Sequence, residues 1–262
     1  MNLFHSIILG VVEGITEFLP ISSTAHLLIA GRLLHISQTE FQTFFDIFIQ
    51  SGAILAVIFL YSFYVVKHRD IWGKIIVSFI PTAVVGLALE KIIKRYFFSS
   101  LYLISAALFL IGILFIIFEL LVKNKKINLE KTIKKMNYLE ALLIGIGQSL
   151  AVVPGVYRAG IVILVMMGQR FKRSESALYS FLLAVPTILA ASGLEVIKTD
   201  FRVIISQNNF LLLGVGFFVS FATAYLIVKW FINFLQKNSL TVFGIYRIVL
   251  AIILMAVILK SL

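Results

Sequence analysis

The chain is 262 residues long and 61% apolar, with a net charge of +11 and no cysteine. A soluble domain holds roughly 45–50% apolar residues, so the surplus must face lipid; continuous rather than alternating apolar runs exclude a closed β-barrel. Without cysteine there are no disulfides, thiolate nucleophiles or zinc–thiolate sites, and basic residues gathered in short connections indicate membrane topology and lipid headgroups, not nucleic acid.

From the N-terminus, Met1 to Ser6 lacks a basic region, and the first apolar run meets Glu13 and Glu17 before any small-residue cleavage site, so this segment is expected to stay in the mature protein. That first stretch, residues 3–33, is interrupted by Pro20. Full spans are predicted over 44–66, 75–92 and 101–122. A basic linker follows at 123–137, then a second interrupted stretch at 138–169, broken at Pro154-Gly155. Spans over 176–196, 209–230 and 241–260 complete the chain. Proline removes a backbone donor and glycine loosens a helix, so each interrupted stretch reads as two short helices meeting at a turn, a re-entrant hairpin.

A shift of 134 residues lays Pro20 on Pro154 and Gln50–Ala56 on Ala184–Ala190. Each half then holds one hairpin and three spans, an odd number of crossings, which turns the halves over relative to one another. The expected fold is all-α: one integral membrane domain over 1–262, an inverted repeat of halves 1–122 and 138–262, with two re-entrant helical hairpins and about six full transmembrane helices. Fourteen Lys and Arg lie in 67–74, 123–135, 170–173 and 229–237, against seven in the alternate connections and at the C-terminus. The richer side is expected to be cytoplasmic, which puts both termini and the mouth of the first hairpin outside.

Ionisable groups at membrane depth cost roughly 2.5–3.5 kcal/mol each, so those inside the interrupted stretches call for a use. Glu13 and Glu17 project from one face of a short helix, where two anions repel unless a divalent cation, an arginine or a proton intervenes. A pair snorkelling near the interface, or a carboxylate bonded to a neighbouring helix, is the alternative. Ser22, Ser23 and Thr24 open the next helix, where free N–H groups and the dipole favour an anion, although such hydroxyls also serve as caps. His26 lies one turn in and can attack phosphorus or carry protons, with Glu17 placed to fix its tautomer. Arg158 follows the second break, and its planar fork matches phosphate or, alternatively, pairs with Glu13 or Glu17. Gln148 precedes that break as a supporting residue, Glu140 reads as interfacial, and Arg247 in the last span reads as a structural or headgroup-binding residue.

The run Glu13-Gly14-Ile15-Thr16-Glu17-Phe18-Leu19-Pro20-Ile21-Ser22-Ser23-Thr24-Ala25-His26 resembles the first signature of the undecaprenyl-diphosphate phosphatase family, the bacitracin-resistance proteins. Pro154–Gly160 and Ser180–Pro186 resemble the second, and the similarity spans nearly the whole chain. The resemblance implies an integral membrane phosphatase that releases inorganic phosphate from the polyprenyl diphosphate left after cell-wall polymerisation. It also implies an acidic pair at Glu13 and Glu17, a phosphate-contacting Ser23, a histidine at His26 and an arginine at Arg158. The family's second motif usually reads Pro-Gly-x-Ser-Arg-Ser-Gly, whereas Tyr157 and Ala159 replace its two serines here. At roughly 0.5–1.5 kcal/mol per lost neutral hydrogen bond, the two departures would lower activity about tenfold without abolishing it, whereas a Tyr157 ring obstructing the pocket would cost much more.

These residues lead to one expected mechanism. Ser22, Ser23, Thr24, Tyr157 and Arg158 bind phosphate, and His26 acts as nucleophile or as general base. Glu17 orients His26, and Glu13 with Glu17 holds a divalent metal, magnesium or calcium. The expected setting is a bacterial plasma membrane with the site toward the outer face, membrane lipids as partners, no nucleic acid, and the oligomeric state left open. A polyprenyl-phosphate flippase and a silent lipid-binding relative are the rival readings.

Overall fold

The computed structural model describes residues 1–92, 101–153, 155–200 and 207–260. Pro154 of the second break, and Lys94, Arg95 and Arg202 of the charge comparison, lie outside the described residues. The described helices are α1 (Leu3–Thr16), α2 (Ser23–Leu33), α3 (Glu40–Lys67), α4 (Asp70–Ile92) and α5 (Leu101–Lys123), then α6 (Tyr138–Ser149), α7 (Arg158–Gly168), α8 (Arg173–Lys198), α9 (Gln207–Lys237) and α10 (Thr241–Lys260). Short 3-10 turns lie at Ile133–Lys135 and Leu150–Val152, and no strand forms among the described residues.

Six helices (α3, α4, α5, α8, α9 and α10) are long and apolar enough to cross a bilayer, as the hydropathy predicts, so the chain is a multi-pass membrane protein. Five of them overrun the predicted spans at their polar ends, α9 by seven residues at its C-terminus, because a helix, once nucleated, propagates into the headgroup zone; α10 coincides with its span. Lysines close α3, α5, α8 and α9, favourable both for the helix dipole and for reaching the interface.

Both interrupted stretches form two short helices around a non-helical break. With 14 and 11 residues, α1 and α2 are about 21 and 16 Å long, too short to cross ~30 Å of hydrocarbon singly. The same holds for α6 and α7, of 12 and 11 residues. Under the 134-residue shift the ends of α1 and α2 match those of α6 and α7 to within one residue. Proline alone does not make such a break, since α4 and α8 continue through Pro81 and Pro186. Each break instead contains left-handed backbone, at Ser22 (φ 77°) and at Gly155 (φ 90°), which no right-handed helix can include.

The chain groups into two compact units, each drawing on both halves of the sequence. The first comprises Met1–Leu19, Ser23–Tyr64 and Ala184–Phe231. Its core joins Leu9 of α1, Leu27 of α2, Phe44, Phe45 and Ile49 of α3, and Leu213 of α9. A Cβ on Gly14 would stand 2.7 Å from the Ser220 carbonyl oxygen, so α1 and α9 touch backbone to backbone beside Glu13.

The second unit comprises Pro20–Ser22, Val65–Leu183 and Ile232–Leu262. Here α5 and α10 meet at Gly112 and Gly244, where a Cβ on either would lie 2.8–2.9 Å from the other's carbonyl oxygen. Ser78 joins α4 to α6 through the Ala141 carbonyl (2.6 Å) and to α8 through the Tyr179 hydroxyl (2.7 Å). The basic linker is ordered: Glu130 and Lys131 N–H both donate to the Arg170 carbonyl, and Lys131 pairs with Glu140. Glu140 also closes a capping box with Asn137 at the start of α6, a more specific task than an interfacial one.

Candidate active site

The first unit supplies the acidic pair. Glu13 sits in the last turn of α1 and Glu17 caps that helix, its N–H bonding the Glu13 carbonyl at 2.9 Å. Both side chains are buried, Glu13 fully. A helix C-terminus carries partial negative charge, so two carboxylates there are electrostatically misplaced, and no basic residue occupies that turn. Ser23, the first residue of α2, donates its hydroxyl to Glu17 Oε2 at 2.6 Å. A charge-assisted bond of that length fixes the Glu17 carboxylate against the start of α2. Thr24 is exposed and His26 half-buried on the same helix.

The second unit supplies Ser22, Tyr157 and Arg158. Ser22 is buried in the left-handed turn ahead of α2. Arg158 opens α7, half-buried, with a long 3.4 Å contact from Nη1 to the Ser180 carbonyl. A cation at a helix N-terminus is misplaced in the opposite sense to the carboxylates, and together with the N–H groups there it makes a strongly anion-attracting end. Tyr157 is the N-cap of α7 and makes no side-chain cap bond. Its buried ring lies back over the first turn of α7, with Cδ1 3.4 Å from the position a Cβ on Gly160 would take. Ala159 is fully buried in the same turn.

Gln148, fully buried, donates to the Thr82 hydroxyl at 2.8 Å and so ties α6 to α4. Glu119 escaped the sequence reading, whereas Arg247 takes the structural of the two roles expected of it. Glu119, buried in α5, takes a two-pronged bond from Arg173 (2.8 and 2.5 Å) and a third from Leu240 N–H (2.8 Å). Arg247 is fully buried, which excludes a headgroup role, and its guanidinium bonds main-chain carbonyls of both breaks. The partners of neither residue were legible, because they lie far apart in the chain.

Among the described residues no group of three or more His, Cys, Asp or Glu is placed to hold a metal ion. The Glu13–Glu17 pair offers hard oxygen donors of the kind magnesium and calcium take, with substrate oxygens and water to complete the shell.

Residues 6–253 match the family described as bacitracin resistance protein BacA. A protein of Wolinella succinogenes named "Undecaprenyl-diphosphatase" is 43% identical over 253 residues, covering 97% of each chain. Proteins of the same name from Aquifex aeolicus and Campylobacter fetus are 40% and 37% identical, covering 97% of each chain and 99% and 100% respectively. With a full-length family match and relatives well above 30% identity, the chain belongs to the bacitracin resistance protein BacA family.

Proposed function

We propose that this protein is an undecaprenyl-diphosphate phosphatase of the bacterial plasma membrane, hydrolysing the lipid carrier to its monophosphate and inorganic phosphate. This recycles the carrier for cell-wall synthesis and confers bacitracin resistance. The name carried by relatives aligned along nearly the whole chain supports the activity. The observation that carries the chemistry is the Glu17–Ser23 bond at the junction of α1 and α2, beside a second buried carboxylate.

In the reaction the terminal phosphoanhydride bond breaks and the lipid monophosphate leaves. Arg158 and the N–H groups at the start of α7 neutralise charge on the terminal phosphate, with Ser22, Ser23, Thr24 and the Tyr157 hydroxyl as further donors. His26 either attacks phosphorus, giving a phosphohistidine that water then opens, or removes a proton from the attacking water. Glu17 orients His26. Glu13 and Glu17 would hold a divalent cation, magnesium or calcium, which supplies charge neutralisation on the diphosphate. The basic-residue asymmetry favours an outward-facing site, each interrupted stretch entering the membrane as a re-entrant hairpin.

The test is purified protein in detergent with a long-chain prenyl diphosphate, free phosphate being measured with and without metal. Release that depends on His26 supports the enzyme. No release with metal supplied leaves a flippase or a silent lipid binder.

A further inference from the structure

We propose that Arg247 is a positioning residue for this reaction: its guanidinium latches together the turns of the two interrupted stretches and so holds Ser22 and Arg158 in register for phosphate. The proposal rests on the phosphatase reading above. Arg247 lies in the last span, α10, with no exposed surface. A cation so placed ordinarily answers a carboxylate. Here its hydrogen bonds go to main chain, from Nη2 to the Gly155 carbonyl at 2.7 Å and from Nη1 to the Pro20 carbonyl at 3.3 Å. Both carbonyls belong to breaks, where helix bonding has stopped and lipid offers no partner.

Each bonded turn is also conformationally demanding. Gly155 is itself left-handed, and Ser22, two residues after Pro20, is left-handed without being glycine. Such backbone persists only where its surroundings hold it. One planar fork can bridge two carbonyls in fixed directions, which a lysine ammonium cannot do with the same geometry. Among the described residues buried Nε has no hydrogen-bond partner, so the bonds from Nη1 and Nη2 to the two carbonyls orient the guanidinium. Close packing brings the parts within reach: a Cβ on Gly112 of α5 would lie 3.2 Å from Arg247 Cβ, and one on Gly155 2.7 Å from the Ile104 carbonyl oxygen. α5 is thus a common floor for the arginine and the second turn.

The chain has no native cysteine, so Val156→Cys gives a single reporter in the second turn. In that background, Arg247→Met is expected to label several-fold faster with a maleimide in detergent. It should lower kcat about a hundredfold, as misplaced reacting groups do, while KM stays within a few-fold. Arg247→Lys keeps the buried cation and is expected to fall between the two, which carries the test if the methionine variant does not fold. Wild-type labelling rates in the variants, or a loss confined to KM, overturn the latch. If the Val156→Cys protein with Arg247 intact releases no phosphate, the phosphatase reading fails, and with it the catalytic role, whereas the labelling comparison still decides whether the turns are latched.

Discussion

The stretch Leu3–Leu33 and the stretch Tyr138–Gly168 place their helix ends at corresponding positions, yet set charges of opposite sign beside their breaks. In the first, carboxylates end the helix before the break; in the second, an arginine begins the helix after it. Both charges oppose the local dipole, each misplacement disfavoured by about 0.3–1 kcal/mol before burial is added. Stability alone would not select either arrangement. Under the proposed function the carboxylates would take a cation and the arginine an anion.

Four substitutions or treatments test that division, beginning with the largest effect. His26→Ala in the first stretch should reduce phosphate release by about 10³-fold, in the range of lost nucleophilic or general-base function. Unchanged release would take His26 out of the reaction. Arg158→Ala in the second stretch should lower kcat by roughly 10²-fold, with Arg158→Lys recovering part of it; a loss in KM alone would make the arginine a docking group.

Chelation of divalent cations should silence the wild-type protein, with magnesium or calcium restoring it. Glu13→Gln should shift the metal concentration needed upward. Activity indifferent to chelator would leave the acidic pair to work through protons. The smallest effect concerns the departures in the second stretch: Tyr157→Ser combined with Ala159→Ser should raise turnover about tenfold, the equivalent of roughly 1.4 kcal/mol of regained hydrogen bonding. No gain would mean that the second stretch is already complete with its tyrosine.

Much of this was readable in advance where the signal is local. The six long helices follow from continuous apolar runs, and both breaks were expected at Pro20 and at Pro154-Gly155. Proline itself was an incomplete guide, because Pro81 and Pro186 sit inside unbroken helices. The left-handed residues make the difference, and Ser22 gives no compositional warning of its φ. Glu17 with Ser23 was legible as a cluster six residues across, although the particular bond was not, since several hydroxyls near Glu17 could have supplied the donor.

Sequence by itself determined the spans, the two interruptions and the residue types able to handle a diphosphate, because hydropathy, backbone donors and titratable groups are properties of short segments. Tertiary structure alone decided what Arg247 does. Its carbonyl partners lie 227 and 92 residues away, and a main-chain carbonyl leaves no mark in the sequence. Only the packing of α10 on α5, close at Gly112 and Gly244, sets a buried arginine where it meets both breaks.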